Sequence, residues 1–331
     1  MSPNRAALDR LTAWPRLPLA DLPTPLLRAE RLGGRLGVAH VYVKMDAETG
    51  FALGGNKVRK LELVLEESRL AGITHVLTAG GPQSNHCRVT AAAAARLGRA
   101  CVLVLNGPEP ERPTGNALLH RLFGAEIVTV ADRDARAPTL EQEAERVVAE
   151  GGRPLVVPIG ASDALGSLGY ALAALELADQ LDRLADGARS TRLFLSSSSC
   201  GTLAGLLLGL ALLGRSDVAL HAVSADASAD ELRDRALDLA GEAAELLGAR
   251  VAPGSVPLET DDGQVGEGYG IPTAASRAAT EDFARLEGIV LDPTYSSKAA
   301  AGMIAWVERH GVEPDTRVVF LHTGGAPGLL A

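Results

Sequence analysis

The sequence predicts an α/β protein of two doubly wound, three-layer domains with mostly parallel sheets. Three observations predict it. The chain has 331 residues, more than one small domain needs and enough for two cores. Short β-rich runs alternate with helical runs along its whole length, the pattern of parallel strands covered by helices. Apolar residues make up 47% of the chain and aromatics only 3%, so the core is one of Ala, Leu and Val.

The elements follow in order. β-rich runs lie at 40–44, 74–78, 100–105, 126–130, 155–159, 192–196, 219–224, 289–291 and 317–322. Between them, 57–70 carries Val58, Leu61, Val64 and Leu65 on one helical face and stops before Gly72. Helices are expected at 140–150, 168–184, 231–247 and 274–286 on the same pattern, and 203–213 reads as a buried helix too short to span a membrane. The stretch 249–272, rich in Gly, Pro and acidic residues, reads as a long irregular and functional loop.

Composition excludes several classes. A net charge of −9 with dispersed arginines leaves no footprint for nucleic acid or an anionic membrane. The first fifteen residues hold charges and prolines but no apolar signal core. Cys87, Cys101 and Cys200 are far apart, which argues against a disulfide framework or a structural zinc and suits a reducing cytoplasm. Lysine is scarce: of 32 basic residues only Lys44, Lys57, Lys60 and Lys298 are lysines. Arginine substitutes for lysine on a solvated surface, but not where an amine must lose its proton and react.

In open α/β sheets ligands bind beyond the C-terminal strand ends, so the strand-to-helix junctions hold the candidate chemistry. Lys57 sits in Gly54-Gly55-Asn56-Lys57, a glycine turn opening a helix. Ser84, Asn85 and His86 follow the 74–78 strand and gather a hydroxyl, an amide and an imidazole at a helix start; such a site suits a carboxylate or phenolate. Ser197-Ser198-Ser199-Cys200-Gly201-Thr202 precedes an apolar helix and forms a cradle for a phosphate, although it is neither a P-loop nor GxGxxG. Thr323 ends the last strand, before Gly324 and Gly325. Each junction alone reads as ordinary capping or turning. A lysine together with a phosphate cradle is what pyridoxal 5'-phosphate requires.

A longer series of segments strengthens this. It runs from Pro23-Thr24-Pro25-Leu26 through the Lys57 turn and Gln83-Ser84-Asn85-His86 to Thr114-Gly115-Asn116 and Gly166-Ser167-Leu168-Gly169-Tyr170. It continues with Gly268-Tyr269-Gly270-Ile271-Pro272, Leu291-Asp292-Pro293-Thr294-Tyr295 and His322-Thr323-Gly324-Gly325. In this order the chain resembles, over nearly its whole length, the aminocyclopropane-carboxylate deaminase and D-cysteine desulfhydrase family, of the same fold type as the tryptophan synthase β subunit. The resemblance implies that Lys57 holds the cofactor covalently and moves the α-proton. It implies that Asn85 bonds the ring phenolate, that Ser84 and His86 face the substrate carboxylate, and that Ser198, Ser199, Cys200, Gly201 and Thr202 hold the phosphate. Thr323, with Ser296, would stand at the pyridine nitrogen, and Tyr269 and Tyr295 would line the substrate side. The cofactor would lie in a cleft between a large domain, 1–54 with 162–331, and a small one, 55–161.

The chain departs from the family pattern in places. Serines and Cys200 stand in a phosphate loop that is usually glycine-rich, and Ser296 stands where ring-opening deaminases carry an acid. The stretch Lys44-Met45-Asp46-Ala47-Glu48 and Asp163 also differ from the usual residues, and Cys87 follows the Ser-Asn-His motif beside the site. A β-eliminating lyase on a small β-substituted amino acid is expected, D-cysteine first, then L-cysteate, with Ser296, Ser297 and His86 able to hold a sulfonate. Ring-opening deamination, β-replacement and a noncatalytic cofactor-binding role follow. A dinucleotide oxidoreductase is disfavoured by the missing GxGxxG. No nucleic acid, membrane or metal is expected, and the protein is expected to be a cytoplasmic homodimer.

Overall fold

In a computed structural model, which describes residues 3–108 and 110–331, ten strands sort into two sheets. They are β1 (Leu26–Arg28), β2 (Val41–Lys44), β3 (His75–Gly80), β4 (Ala100–Asn106), β5 (Glu126–Val130), β6 (Pro154–Val156), β7 (Ser190–Ser197), β8 (Val218–Ser224), β9 (Leu258–Asp261) and β10 (Thr316–Leu321). One sheet has the order β1-β2-β10-β7-β8-β9, the other β5-β4-β3-β6. Every pairing is parallel except that of β1 with β2. The helices are α1 (Pro3–Thr12), α2 (Glu30–Leu36), α3 (Lys57–Val64), α4 (Asn85–Arg96), α5 (Gly115–Leu122), α6 (Arg136–Ala149), α7 (Ala164–Asp182), α8 (Gly201–Leu213), α9 (Ala229–Leu246), α10 (Ala274–Glu287) and α11 (Ser296–His310). The α/β class with mostly parallel sheets is the predicted one.

Strand alternation builds the layers. In the larger sheet Leu193, Leu195, Val319 and Leu321 face a core with Tyr170 of α7 and Leu203 and Leu207 of α8. The intervening Phe194, Val318 and Phe320 face the opposite core, with Phe283 of α10 and Met303 of α11. In the smaller sheet Val76, Leu103 and Leu105 pack with Val58 and Leu61 of α3 and Val89 of α4, whereas Leu77 and Val102 turn to Val147 of α6. Helix α3 also sends Leu63 into a core with Leu168 of α7, so it is wedged between the two units. Helices α7 and α8 touch almost backbone to backbone: a Cβ on Gly205 would lie 2.2 Å from the Ser167 carbonyl oxygen.

Three expectations need correction. The run 289–291 forms no strand; Leu291 is fully buried in a core without joining a ladder. The 249–272 stretch is not wholly irregular, since β9 lies in it and closes one edge of the larger sheet. The helix expected over 57–70 stops at Val64. Its continuation is diverted because the Glu66 carboxylate accepts the Ser68 and Arg69 backbone N–H groups, at 3.0 Å each, in place of helical carbonyls. Helix α11 went unexpected because Ser296 to Met303 are buried all round, which removes the amphipathic period.

Candidate active site

Strand order places the site. In the smaller sheet the chain steps from β3 through β4 to β5, then returns to the other side of β3 with β6. In the larger one it steps from β7 through β8 to β9, then returns beside β7 with β10. Each reversal leaves a crevice at the strand ends. The loops after β3, β6, β7 and β10 all line one cavity of about 510 Å³ between the two sheets. Lys57, Ser84, Asn85, His86, Ser198, Ser199, Cys200, Thr202, Tyr269, Tyr295 and Thr323 are among its lining residues. Gly201 opens α8 directly beneath the serine loop, and Ser296 does not line the cavity.

Lys57 is presented by a turn that only glycine permits. Gly54 has φ +66° and a Cβ there would lie 1.9 Å from the Ala47 carbonyl oxygen. The Lys57 amine donates to Asn56 Oδ1 at 3.0 Å, and Asn56 Nδ2 donates to Thr202 Oγ1 at 3.0 Å. Burial and then the Arg88 charge lower the Lys57 pKa to about 8, against the opposing pull of Asp292. The amine is therefore readily freed of its proton.

Ser84 caps α4, accepting the Cys87 N–H at 3.2 Å. The side-chain oxygen of Asn85 accepts from Arg88 at 3.0 Å and Asn116 at 2.9 Å, which leaves its NH₂ as the group able to donate into the cleft. His86 departs from expectation. Thr78 donates its hydroxyl proton to Val157 O at 2.8 Å, so the 2.8 Å contact to His86 must carry a proton from Nε2. Nδ1 is then a bare acceptor, and burial, reinforced by Lys57 and Lys60, holds the ring well below its usual pKa. A neutral imidazole so oriented cannot donate to a carboxylate.

The serine loop is tied from below. Ser199 Oγ lies 2.8 Å from Ser162 Oγ, which also accepts from Lys60 at 3.0 Å. Cys200 turns its thiol away, toward Ser198 O at 3.4 Å, and its backbone is left-handed at φ +66°, a conformation natural to glycine. Only its main chain faces the cleft's chemistry. The hydroxyls of Ser196 and Ser197 are buried without partners among the described residues.

Tyr269 and Tyr295 bond to each other through their hydroxyls. Burial raises both pKa values, so both stay protonated at neutral pH. Lys298 anchors the Tyr269 loop by donating to Val265 O at 2.7 Å and Gly268 O at 2.9 Å. The expected place of Ser296 is not met: it is 1% exposed and donates to Asp292 Oδ1 at 2.6 Å. Ser297 is equally buried and pairs with Thr280 at 2.6 Å. Asp292 instead reaches the cavity wall, with its oxygens held by the N–H groups of Thr294, Tyr295 and Ser296.

Residue-level reading missed Asn56, Arg88 and Asp292 as site residues. Arg88 had a signal, since it lies three residues after Asn85 on the same helix face, but Asn56 and Asp292 read as turn residues.

Comparison with known proteins agrees with this geometry. A family model described as "Pyridoxal-phosphate dependent enzyme" matches residues 17–324. The chain belongs to that family. It is 41% identical to a D-cysteine desulfhydrase of Salmonella choleraesuis (strain SC-B67) and 40% identical to one of Salmonella newport (strain SL254), over 98% of each chain. A solved structure described as an ACC deaminase homologue superposes with a TM-score of 0.88 at 32% identity, covering 100% of this chain and 97% of that one. Threonine deaminase isoform 2 from Solanum lycopersicum shares the fold, with a TM-score of 0.69 at 18% identity over 97% of this chain and 84% of that one.

The residues present suit pyridoxal phosphate. The orphaned Ser196 and Ser197 hydroxyls beside the α8 N-terminus offer donors to a phosphate. The Asn85 amide offers a donor to a phenolate, and the Lys57 amine is half-buried in the same cleft. Among the described residues no helix is long and apolar enough to cross a membrane, and no group of three or more His, Cys, Asp or Glu could hold a metal ion.

Proposed function

We propose that the enzyme is a β-eliminating lyase that converts a small β-substituted amino acid to pyruvate and ammonia, with D-cysteine, which also yields sulfide, favoured. The observation that carries this is Lys57 facing one cleft with a serine loop at a helix N-terminus, the Ser84–Asn85 turn and a protonated tyrosine pair. The D-cysteine desulfhydrases at 41% and 40% identity support the substrate.

Bound here, pyridoxal phosphate supplies an electron sink for the charge left when the α-proton departs. The chain's own groups do the rest. Lys57, whose pKa is lowered to about 8, would hold the cofactor and, once released, would accept the α-proton. Asn56 orients the amine and ties it to α8. Ser198, Ser199, the main chain of Cys200 and Gly201, and Thr202 would hold the phosphate, and the Asn85 amide would donate to the phenolate. Thr323 would offer its hydroxyl to the ring nitrogen. Ser84 receives the substrate carboxylate. Tyr269 and Tyr295 are both protonated; one donates to the other, and the hydroxyl that accepts keeps its own proton for the leaving group.

Ser296 is closed off on Asp292 and outside the cavity lining, so we give its missing acid no weight against ring-opening deamination. Substrates must decide. Pyruvate release is to be measured with D-cysteine, L-cysteine, L-cysteate, D-serine and aminocyclopropane-carboxylate. D-Cysteine should lead with stoichiometric sulfide. Faster loss of the ring amino acid, or no pyruvate from any of them, would reject the reading. The proposal extends to a division into 1–54 with 162–331 and 55–161, and to a cytoplasmic homodimer, which light scattering would test.

A further inference from the structure

Two arginines line the cleft and are unused by the chemistry above. Arg133 lies on the turn from β5 into α6 and Arg136 opens α6; both share the cavity wall with Ser84, Tyr269 and Tyr295. The Arg133 guanidinium stacks on the Tyr269 ring, 4.3 Å from its centroid, and reaches Asp226 at 3.5 Å. Arg136 donates its Nε to the Arg133 carbonyl oxygen at 3.1 Å, which orients its remaining NH₂ groups. Among the described residues no carboxylate lies within ion-pair distance of Arg136, although this is an acidic protein with abundant partners. Burial, then the adjacent Arg133 charge, lower its pKa. Two guanidinium groups thus stand together near the tyrosine pair; Asp226 pairs with Arg133, while Arg136 feels the Asp134 charge without an ion pair of its own. An added anion would relieve their repulsion, and the planar fork of arginine matches an oxyanion.

We propose that Arg133 and Arg136 receive a tetrahedral oxyanion carried on the substrate's β-carbon, so that the enzyme accepts amino acids whose leaving group is itself acidic. This rests on the lyase reading and adds a second class of leaving group beside the thiol of D-cysteine. The oxyanion must be able to depart with the bonding electron pair. A sulfonate does so when the Cβ–S bond breaks: cysteate and water give pyruvate, ammonia and bisulfite. A phosphate ester does so when the Cβ–O bond breaks: O-phosphoserine and water give pyruvate, ammonia and phosphate. The same guanidinium groups then steady the departing anion.

The test compares holoenzyme with Arg136→Gln. kcat/KM is measured for both enantiomers of cysteate and of O-phosphoserine, each as a ratio to D-cysteine. The ratio should fall at least ~10-fold in the variant for whichever oxyanion the site takes, and Arg136→Lys should restore part of it as a point charge. Calorimetry supplies a readout free of turnover. Aspartate, with a carboxylate and no leaving group, should bind the holoenzyme about tenfold more tightly than alanine, and Arg136→Gln should erase the difference. Equal ratios and an equal aspartate preference in wild type and variant would overturn the proposal. If no substrate gives pyruvate the lyase reading falls, yet the aspartate comparison still decides whether the arginines bind an oxyanion.

Discussion

The four lysines show how a residue's meaning depends on its surroundings. Lys44, Lys60 and Lys298 are buried, and each amine is committed to a protein oxygen. Lys57 alone among them opens onto the cleft. Lys57→Ala should therefore lose the borohydride-fixed cofactor label and slow turnover by at least about 10²–10⁴-fold from the missing proton transfer alone. Because burial and Arg88 bring its pKa down to about 8, the neutral amine gains population as pH rises through that value. The rate at which apoprotein takes up pyridoxal phosphate, followed by absorbance, should climb with pH and level off above about 8. Ser296 gives a contrasting case. Its hydroxyl sits on the Asp292 carboxylate in a closed core, so Ser296→Glu would bury a second carboxylate against the first. It should cost about 3 kcal/mol or more of stability, read as a lower melting temperature. A stable variant with an altered cofactor spectrum would return Ser296 to the ring.

At the scale of elements, ends and contacts matter more than interiors. Helix α3 is short because Glu66 captures the N–H groups that would extend it, and a short α3 ends before the turn leading into β3. Helix α8 begins on the left-handed Cys200, where a side chain is tolerated because its thiol packs into a core. The α7–α8 contact pits two opposing effects against each other. Replacing a mid-helix glycine by alanine gains about 1 kcal/mol in propensity. At Gly205 the new methyl would meet the Ser167 backbone oxygen at 2.2 Å, and that atom cannot rotate away. The clash should win, and Gly205→Ala should be net destabilising by about 1–3 kcal/mol in urea unfolding. Stabilisation would mean that the helices can slide apart freely.

Across the whole molecule, a buried charge network fastens the lysine helix α3 to α7 and to the turn after β2. Arg59, two residues beyond Lys57, donates to both Asp46 oxygens at 3.0 and 2.9 Å and to both Glu176 oxygens at 3.0 and 2.8 Å. Lys44 and Thr24 join the same cluster. Burial works to raise the Asp46 pKa, but the Arg59 charge overcomes it and the net shift is downward; Glu176 behaves alike. A carboxyl whose folded pKa is depressed stabilises the fold above its unfolded value and loses that contribution as pH falls through the folded one. The melting temperature should therefore drop as pH is lowered from 7 toward 3. Asp46→Asn should cost about 3–5 kcal/mol at pH 7, because Arg59 is left partly unpaired, and should flatten that pH dependence. An unchanged pH profile in the variant would remove Asp46 from the network's account.

The sequence by itself determined the fold class, the cofactor and the strand-to-helix junctions that line the cleft. Strand and helix periods are local, and glycine turns and caps announce strand-to-helix junctions whatever surrounds them. That is why Lys57, Ser84, Asn85, the serine loop and Thr323 were legible before any coordinates. What only the tertiary structure decided are properties set by distant partners. The proton on His86 depends on Val157 through Thr78, the burial of Ser296 on Asp292, and the orientation of the Asn85 amide on Arg88 and Asn116. The β1 and β9 edges, and the two arginines near Tyr269, likewise emerge only when segments far apart in the chain meet. Local sequence encodes which groups a junction offers; packing and hydrogen-bond geometry across the two units decide which way each group faces and what charge it carries.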